Sequence, residues 1–400
     1  MRFLSTRLNN VSISETAKIK NLITEKESAG ERVLSLSVGE PNFNTPQNVI
    51  DAAKKGLDKG FTKYTHTTGL IELKEAIRNK YLRENNLDYE LNEIIVCSGG
   101  KQVIFNAFLS TLSYGDEVII PSPYWVSYPE IVKLCGAKPI IAKTKLSSGY
   151  KLTGPELQSL ISRKTKWLIL NSPSNPTGAV YTREELIELS SVLKKYPEIW
   201  IMSDDIYEHI VFENQPALNI VQLDKSFKNR TLLINGVSKG YAMTGWRIGY
   251  GAGHSDLIDA MNTIQSQSTS NAPSVSQYAA IEAISNSTDF VEKNKLIFQK
   301  RRDLLLAILN QSKNMPFTKP MGAFYALPSI EALIGRKTSN GQIINCDIDF
   351  TIELLKQTGV AVVSGSAFGA PNSFRISYAV PDNLLKDACN LIVDFVKRLS

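Results

Sequence analysis

Lys239 lies in the run NGVSKGYAMTGWRIGY (235–250), bracketed by Gly236, Ser238 and Gly240, with Arg247 eight positions on. Small neighbours leave room for a ligand to reach the amine. A lysine condenses with an aldehyde to a Schiff base when it is partly desolvated and another cation lies near. Arg247 can be that cation, and can also hold a phosphate. Without such neighbours a lysine after a strand is ordinarily a solvated surface charge. Asp204 closes the apolar run IWIM (199–202) after one serine. A carboxylate there is desolvated and wants a partner. A protonated pyridine nitrogen is a good one, because the ion pair keeps the ring an electron sink. The alternative is a strand-end acid facing solvent. Asp205 is adjacent, points to the other face of a strand and competes for the role. Tyr207, three residues after Asp204, can hydrogen-bond a phenolic oxygen on such a ring.

Arg375 in FRISYA (374–379) is a lone cation among strand residues. A buried arginine needs an anion, and its planar fork matches a carboxylate. Ser98-Gly99-Gly100-Lys101 stands between a strand and a helix, where glycines let backbone N–H groups close on a phosphate. It is not a Walker loop: Gln102 stands where Ser or Thr is required, and Ile95 where the first glycine belongs. GAGHSD (251–256) likewise fails the dinucleotide pattern GxGxxG. Trp125 follows Ser122-Pro123 and is either a core aromatic or a ring stacked on a flat ligand. Cis peptides are plausible at Ser122-Pro123 and Asn175-Pro176, and the sequence does not decide them.

These residues fall at the ends of short apolar runs. EIIVCSGG (93–100), DEVIIPSP (116–123), KWLILNSP (166–173), EIWIMSDD (198–205) and TLLING (231–236) have the character of buried strands. Helical patterns alternate with them. Thr45 as N-cap and Pro46 at the first position open a helix that runs through Leu57 to a stop at Gly60. Another helix is KQVIFNAFLSTL (101–112), and Thr182 with Glu185 forms a capping box that opens a third. This alternation implies an α/β fold with a largely parallel sheet covered on both faces. Ligands then sit outside the carboxyl ends of the strands. SGGK, NSPSNPTG (171–178), SDDIY (203–207) and NGVSK are four such ends. They offer glycine amides, an amide side chain, a carboxylate with a phenol, and a lysine, a set suited to an anionic, aromatic, carbonyl-bearing ligand. From about Ser285 the pattern changes to a long helix (288–312) and fewer strands: GAFYALPS (322–329), VAVVSGSAF (360–368) and FRISYAV (374–380). We expect a large ligand-binding domain over 46–285 and a smaller α+β domain from 1–45 with 286–400.

The 400 residues suffice for that plan. Lys+Arg 45 against Asp+Glu 39 gives a net charge of +6, scattered along the chain with no basic block, which argues against a nucleic-acid partner. Four cysteines form no CxxC pair and three histidines are dispersed, so no metal-ligand spacing arises. No apolar run of about 18 residues occurs, so no membrane partner is expected. The first twenty residues lack the apolar stretch of a signal peptide, and a reducing cytoplasm is the expected compartment.

The chain resembles the class I/II aminotransferases of the fold-type I pyridoxal-phosphate family, and within it the short subgroup of bacterial aspartate aminotransferases. GVSKGYAMTGWRIG (236–249) fits the family's lysine signature throughout. YWVSYPE (124–130), NSPSNPTGAVY (171–181), SDDIYEH (203–209) and FRISYA add independent blocks across nearly the whole chain. The resemblance implies a mostly parallel seven-stranded sheet flanked by helices, bound pyridoxal 5'-phosphate, and ping-pong transfer of an amino group from L-aspartate to 2-oxoglutarate. It implies that Lys239 binds the cofactor's aldehyde with Ser238 beside it, and that Asp204 pairs with the pyridine nitrogen. Tyr207 and Asn175 are implied to bond the 3'-oxygen, Trp125 to stack on the ring, and Gly99, Gly100, Lys101 and Arg247 to surround the phosphate. Arg375 takes the substrate α-carboxylate by the same analogy, and Gly39 in SVGEPNF (37–43) lines the substrate pocket with Trp125 and Asn175. Ser14, Thr16 and Lys101 are implied to receive the distal carboxylate. Tyr64 in KYTHTTG (63–69) is implied to reach the phosphate in the partner subunit, which means a homodimer with shared sites.

The chain departs from the pattern in places. Gly236 stands where many relatives carry a serine three residues before the lysine, so one phosphate hydroxyl is missing. SISET (12–16) lacks the usual proline before its S-x-T. Ser12 occupies a position that is basic in some relatives that also accept prephenate, which makes prephenate or aromatic activity a secondary expectation. A pyridoxal-phosphate β-lyase, or another aminotransferase of the same fold, is the alternative, and the distal-carboxylate set argues against a lyase. A cofactor-binding regulator would need a DNA-binding appendage that residues 1–45 do not provide.

Overall fold

The structure is a computed structural model and describes residues 3, 5–11, 23–213 and 217–400. Ser12, Ser14 and Thr16 lie outside the described residues. β1 (Leu34–Ser35) stands apart from the main sheet. β2 (Ile94–Cys97), β3 (Glu117–Ser122), β4 (Lys138–Lys143), β5 (Thr165–Asn171), β6 (Trp200–Asp204), β7 (Thr231–Gly236) and β8 (Gly249–Ala252) form a seven-stranded sheet, in the order β2-β8-β7-β6-β5-β3-β4. Its pairings are parallel except those of β8, which runs antiparallel to both β2 and β7.

Strand side chains alternate between two cores because successive Cβ atoms point to opposite faces. Val96, Leu168, Leu170, Ile201 and Leu233 pack with the helices Gln47–Asp58, Ile71–Lys80, Arg183–Leu193 and Ser274–Asn286. Cys97, Trp167, Ile169, Met202 and Leu232 pack on the other side with Gly100–Thr111, Ser127–Leu134 and Ser255–Ser266. Burial on both faces explains why these strands are continuously apolar.

Two strands escape the sequence pattern. β4 is a sheet edge whose terminal lysines, Lys138 and Lys143, are exposed. β8 is GYGA, and its two glycines give it little strand propensity. Its direction matters. β8 begins beside the carboxyl ends of β2 and β7, pairing Gly249 with Cys97 and with Gly236. Arg247, two residues earlier, is thereby delivered to the same end of the sheet as Lys239. The backbones meet closely there: a Cβ at Gly236 would lie 2.8 Å from Ile248 O and 3.0 Å from Gly249 Cα. That contact leaves no room for a side chain at 236 unless the two strands shift apart.

The helix expected from Thr45 runs from Gln47 to Asp58 with Pro46, not Thr45, at the cap position. The Thr45 hydroxyl is engaged elsewhere: it donates to Ala242 O at 3.0 Å and accepts from Trp246 Nε1 at 2.9 Å. The Thr182–Glu185 capping box is present in both directions. Ser122-Pro123 and Asn175-Pro176 are cis, and so is Ser172-Pro173, which was not anticipated.

A second core gathers around β9 (Tyr325–Ala326), β10 (Val360–Ala361), β11 (Val363–Ser364) and β12 (Phe374–Ser377). β11-β12-β9 is antiparallel, and β10 pairs in parallel with β1. The helices Thr288–Leu309, Asp347–Thr358 and Asp382–Lys397 cover it. Among the described residues, no helix is long and apolar enough to cross a membrane.

Candidate active site

The carboxyl ends of the central strands open on a cavity of about 540 Å³, closed on its far side by residues 37–39, Tyr325 and Arg375. Gly39, Gly100, Lys101, Trp125, Asn175, Asp204, Tyr207, Ser238, Lys239, Arg247 and Arg375 all line it. Gly99 stands at the rim as the N-cap of the helix Gly100–Thr111. Its φ of 90° strains any residue with a side chain, and one there would displace the Arg247 guanidinium. Tyr64 is not part of this cavity; it is 90% exposed.

Lys239 Nζ donates to Gly39 O at 2.6 Å. Burial pulls the ammonium down to about 8, with Arg375 and Arg247 adding to the effect and Glu40 and Asp204 opposing it. An amine in that range is partly neutral near neutral pH and can act as nucleophile and proton carrier.

Strand parity separates the two adjacent acids. Asp204 faces the side of the sheet that carries Met202 and the helix Ser127–Leu134, where the Tyr128 hydroxyl donates to its Oδ2 at 2.5 Å. Burial raises the Asp204 carboxyl, while Tyr128, the Ile206 amide and Lys239 hold it down. Asp205 faces away from the cavity and accepts from Ser203 Oγ at 2.7 Å and Asn219 Nδ2 at 3.1 Å.

Arg375 is 3% exposed and lies between the rings of Tyr325 and Phe368, each 4.7 Å from its Cζ. It donates to Asn175 Oδ1 at 3.0 Å and Ser37 O at 2.7 Å, and its Nε is left without a partner. Among the described residues no carboxylate pairs with it. A buried guanidinium without an anion is a receptor for one.

Arg247 adopts φ 58° and is anchored through Thr244 O at 2.9 Å and Ser98 O at 3.2 Å, facing the amides of Gly99 and Gly100. Lys101 Nζ sits 4.9 Å from the Trp125 ring centroid, and desolvation with the nearby Arg247 lowers its ammonium. Trp125 lines the cavity while packing against the core, its ring T-shaped to that of Tyr128 at 5.3 Å. This corner combines two cations, a helix N-terminus and an aromatic face, the requirements for a flat ring bearing a phosphate.

Tyr128, Tyr325, Phe368, Ser37 and Asn171 were not singled out from the sequence. Tyr128 carried a signal, since it lies one helical turn after Trp125 in the same motif. Asn171 also lay within a quoted strand end; its Nδ2 donates to Asp204 O at 2.9 Å and its Oδ1 accepts from Asn175 N at 2.9 Å. Tyr325 and Phe368 reach the site through tertiary packing and have no local signature. Behind the turn 204–209, Glu84, Glu208 and His209 converge in the manner of metal ligands. The buried Lys80 ammonium already pairs with Glu208 and lies 3.6 Å from Glu84, so a cation is supplied by the chain itself.

A largely parallel sheet with a desolvated lysine, a buried acid and an anion-seeking arginine around one cavity is an arrangement suited to an amino-group transferase. The chain belongs to the aminotransferase class I and II family, whose model matches residues 31–392. It is 50% identical to the aspartate/prephenate aminotransferase of Cereibacter sphaeroides over 400 residues, with all of both chains covered. The crystal structure of the aspartate aminotransferase from Rhizobium meliloti superposes with a TM-score of 0.96 at 45% identity, covering 99% of each chain. The Thermus thermophilus aspartate aminotransferase with maleate matches with a TM-score of 0.92 at 37% identity, over 99% of this chain and 100% of that one. The fold is accordingly that of the fold-type I aminotransferases, and the protein is a transaminase.

Proposed function

We propose that the chain is an aspartate aminotransferase that uses pyridoxal 5'-phosphate to move the amino group of L-aspartate to 2-oxoglutarate. The observation that carries this reading is the convergence of Lys239, Asp204 and Arg375 on one cavity. When bound, the cofactor supplies an aldehyde for amines and a protonated pyridine ring that draws electrons from the substrate Cα. Lys239 would hold the cofactor through its amine and would be placed to carry the proton at the substrate Cα. Asp204, braced by Tyr128, keeps the proton on the pyridine nitrogen. Tyr207 and Asn175 donate to the ring 3'-oxygen, and Trp125 covers the ring. The amides of Gly99 and Gly100, with Lys101, Ser238 and Arg247, take the phosphate. Arg375 binds the α-carboxylate beside Gly39, and Lys101 with Ser14 and Thr16 takes the distal one.

In this reading residues 46–285 form the large domain, and 1–45 with 286–400 the small one. The exposed Tyr64 supports a homodimer, in which it reaches the phosphate in the partner subunit. The name of the Cereibacter relative favours prephenate as a further amino acceptor.

Borohydride reduction of the yellow protein should fix the cofactor to Lys239, and peptide mapping that finds the adduct elsewhere overturns the assignment. A donor panel should rank aspartate and glutamate first. Release of ammonia and a keto acid, with no amino acid formed, would indicate a lyase. A light-scattering mass of one chain in active solution would refute the dimer.

A further inference from the structure

We infer that Tyr325 is a positioning residue that ties the Tyr207 phenol to the Arg375 guanidinium, so that one side chain orients both halves of the site. Tyr325 lies on β9, paired with Ser377 of β12, and Arg375 is two residues along that strand on the same face. Its side chain is fully buried at 1% exposure. Three parts of the cavity converge on it. Its hydroxyl is 2.8 Å from Tyr207 Oη. Its ring lies 4.7 Å from Arg375 Cζ. A Cβ on Gly39 would stand 2.6 Å from its Oη, so the segment whose carbonyl receives Lys239 can approach only as glycine.

Two hydroxyls sharing one hydrogen bond need a donor and an acceptor, and either of these can donate. Burial raises both phenols, and the Arg375 cation offsets part of the rise at each. When Tyr207 donates its proton into the cavity, as the proposed function requires, only its oxygen is left for this bond, and Tyr325 is then the donor. Tyr207 accepts from it and keeps its own proton free to point into the cavity, toward an anionic oxygen on a bound ring. Hydrogen bonds in such a chain strengthen one another. At the other end, the rings of Tyr325 and Phe368 fix the plane of the guanidinium and leave its Nε edge for a carboxylate.

The inference rests on the transaminase reading, and two variants of the holoenzyme separate its two halves. Tyr325→Phe keeps the ring and loses the donor. Its affinity for succinate, an unreactive dicarboxylate, should be nearly unchanged. The pH midpoint of the bound cofactor's absorbance should move upward by a few tenths of a unit, because an anionic oxygen with a weaker donor holds a proton more tightly. kcat should fall while KM stays. Tyr325→Leu also loses the ring and should weaken succinate binding about 10-fold. Tyr378→Phe, a buried phenol outside the cavity, should shift neither readout. Absorbance titrations of Tyr325→Phe that overlay the wild type, or succinate binding in Tyr325→Leu as tight as in the wild type, overturn the inference. Wild-type protein that takes up no pyridoxal 5'-phosphate overturns the transaminase reading instead.

Discussion

Tyr128 Oη donates to Asp204 Oδ2 at 2.5 Å, and both groups are buried. The helix Ser127–Leu134 thus supplies the side chain that opposes the rise that burial imposes on the acid at the end of β6. Tyr128→Phe removes that donor without altering the ring. The Asp204 carboxyl should then rise further, so the acid limb of the pH profile of kcat/KM should move to higher pH. kcat at neutral pH should fall about 10-fold, the scale of a hydrogen bond to a charged group. An unmoved acid limb would mean that the phenol only packs.

Asp204 and Asp205 should behave as opposites. Asp204→Asn should lower kcat by ~10³-fold or more, whereas Asp205→Asn should keep it within about 10-fold. Asp205 is pushed up to about 8 by burial, with Glu208 and Asp204 adding to the rise and Ser203 and Asn219 opposing it. In the unfolded chain the group titrates near 3.9 (about the ordinary value). The folded chain binds its proton more tightly, so this contribution to stability is complete below about pH 4 and is lost as pH climbs to about 8. Between roughly pH 5 and 7 the wild type should lose up to about 1.4 kcal/mol per pH unit relative to Asp205→Asn. Urea midpoints for the pair at both pH values test this, and an equal difference at the two would contradict it.

Lys101→Ala should change selectivity more than turnover. Its ammonium lies over Trp125 in the lining of the cavity. kcat/KM for aspartate should drop by roughly 10- to 100-fold, about 1.4 to 2.7 kcal/mol, with alanine and phenylalanine much less affected. An equal loss for charged and apolar donors would confine Lys101 to its part in holding the phosphate and remove it from the distal-carboxylate set.

Gly236→Ser would add a hydroxyl three residues before Lys239, yet it should harm this chain. The new Cβ meets Ile248 O at 2.8 Å and Gly249 Cα at 3.0 Å, both backbone atoms. Parting β7 from β8 should cost about 1–3 kcal/mol, visible as a lower urea midpoint. Undiminished stability would show that the strands can separate freely.

Five of the seven main strands were legible because burial on both faces makes them continuous apolar runs. The glycine-rich β8 was not, since its pairing depends on close backbone approach instead of side chains. Residues at the strand ends were visible for a related reason: Asp204, Lys239 and Gly100 contrast with the apolar runs around them. Tyr325 gave no such contrast. It belongs to a two-residue strand in the second core, and the pairing of β9 with β12, the antiparallel bridge between Val211 and Gly322 and the packing against Gly39 bring it to Tyr207. Thr45 looked like a helix cap and became a tertiary hydrogen-bonding residue, because the loop at 242–246 competes for its hydroxyl.

Among the described residues lining the cavity, Lys101, Lys239, Arg247 and Arg375 face one carboxylate, Asp204. Such an excess of positive charge does not distinguish between partners at long range. Phosphate or sulfate in the medium will occupy the Arg247 corner, and small carboxylates the Arg375 corner, each by mass action. On the proposed reading, the strength with which the chain takes up pyridoxal 5'-phosphate is then a property of the buffer as much as of the protein. A preparation made in phosphate starts from a chain already carrying a competitor, and a dissociation constant measured there describes an exchange of one anion for another.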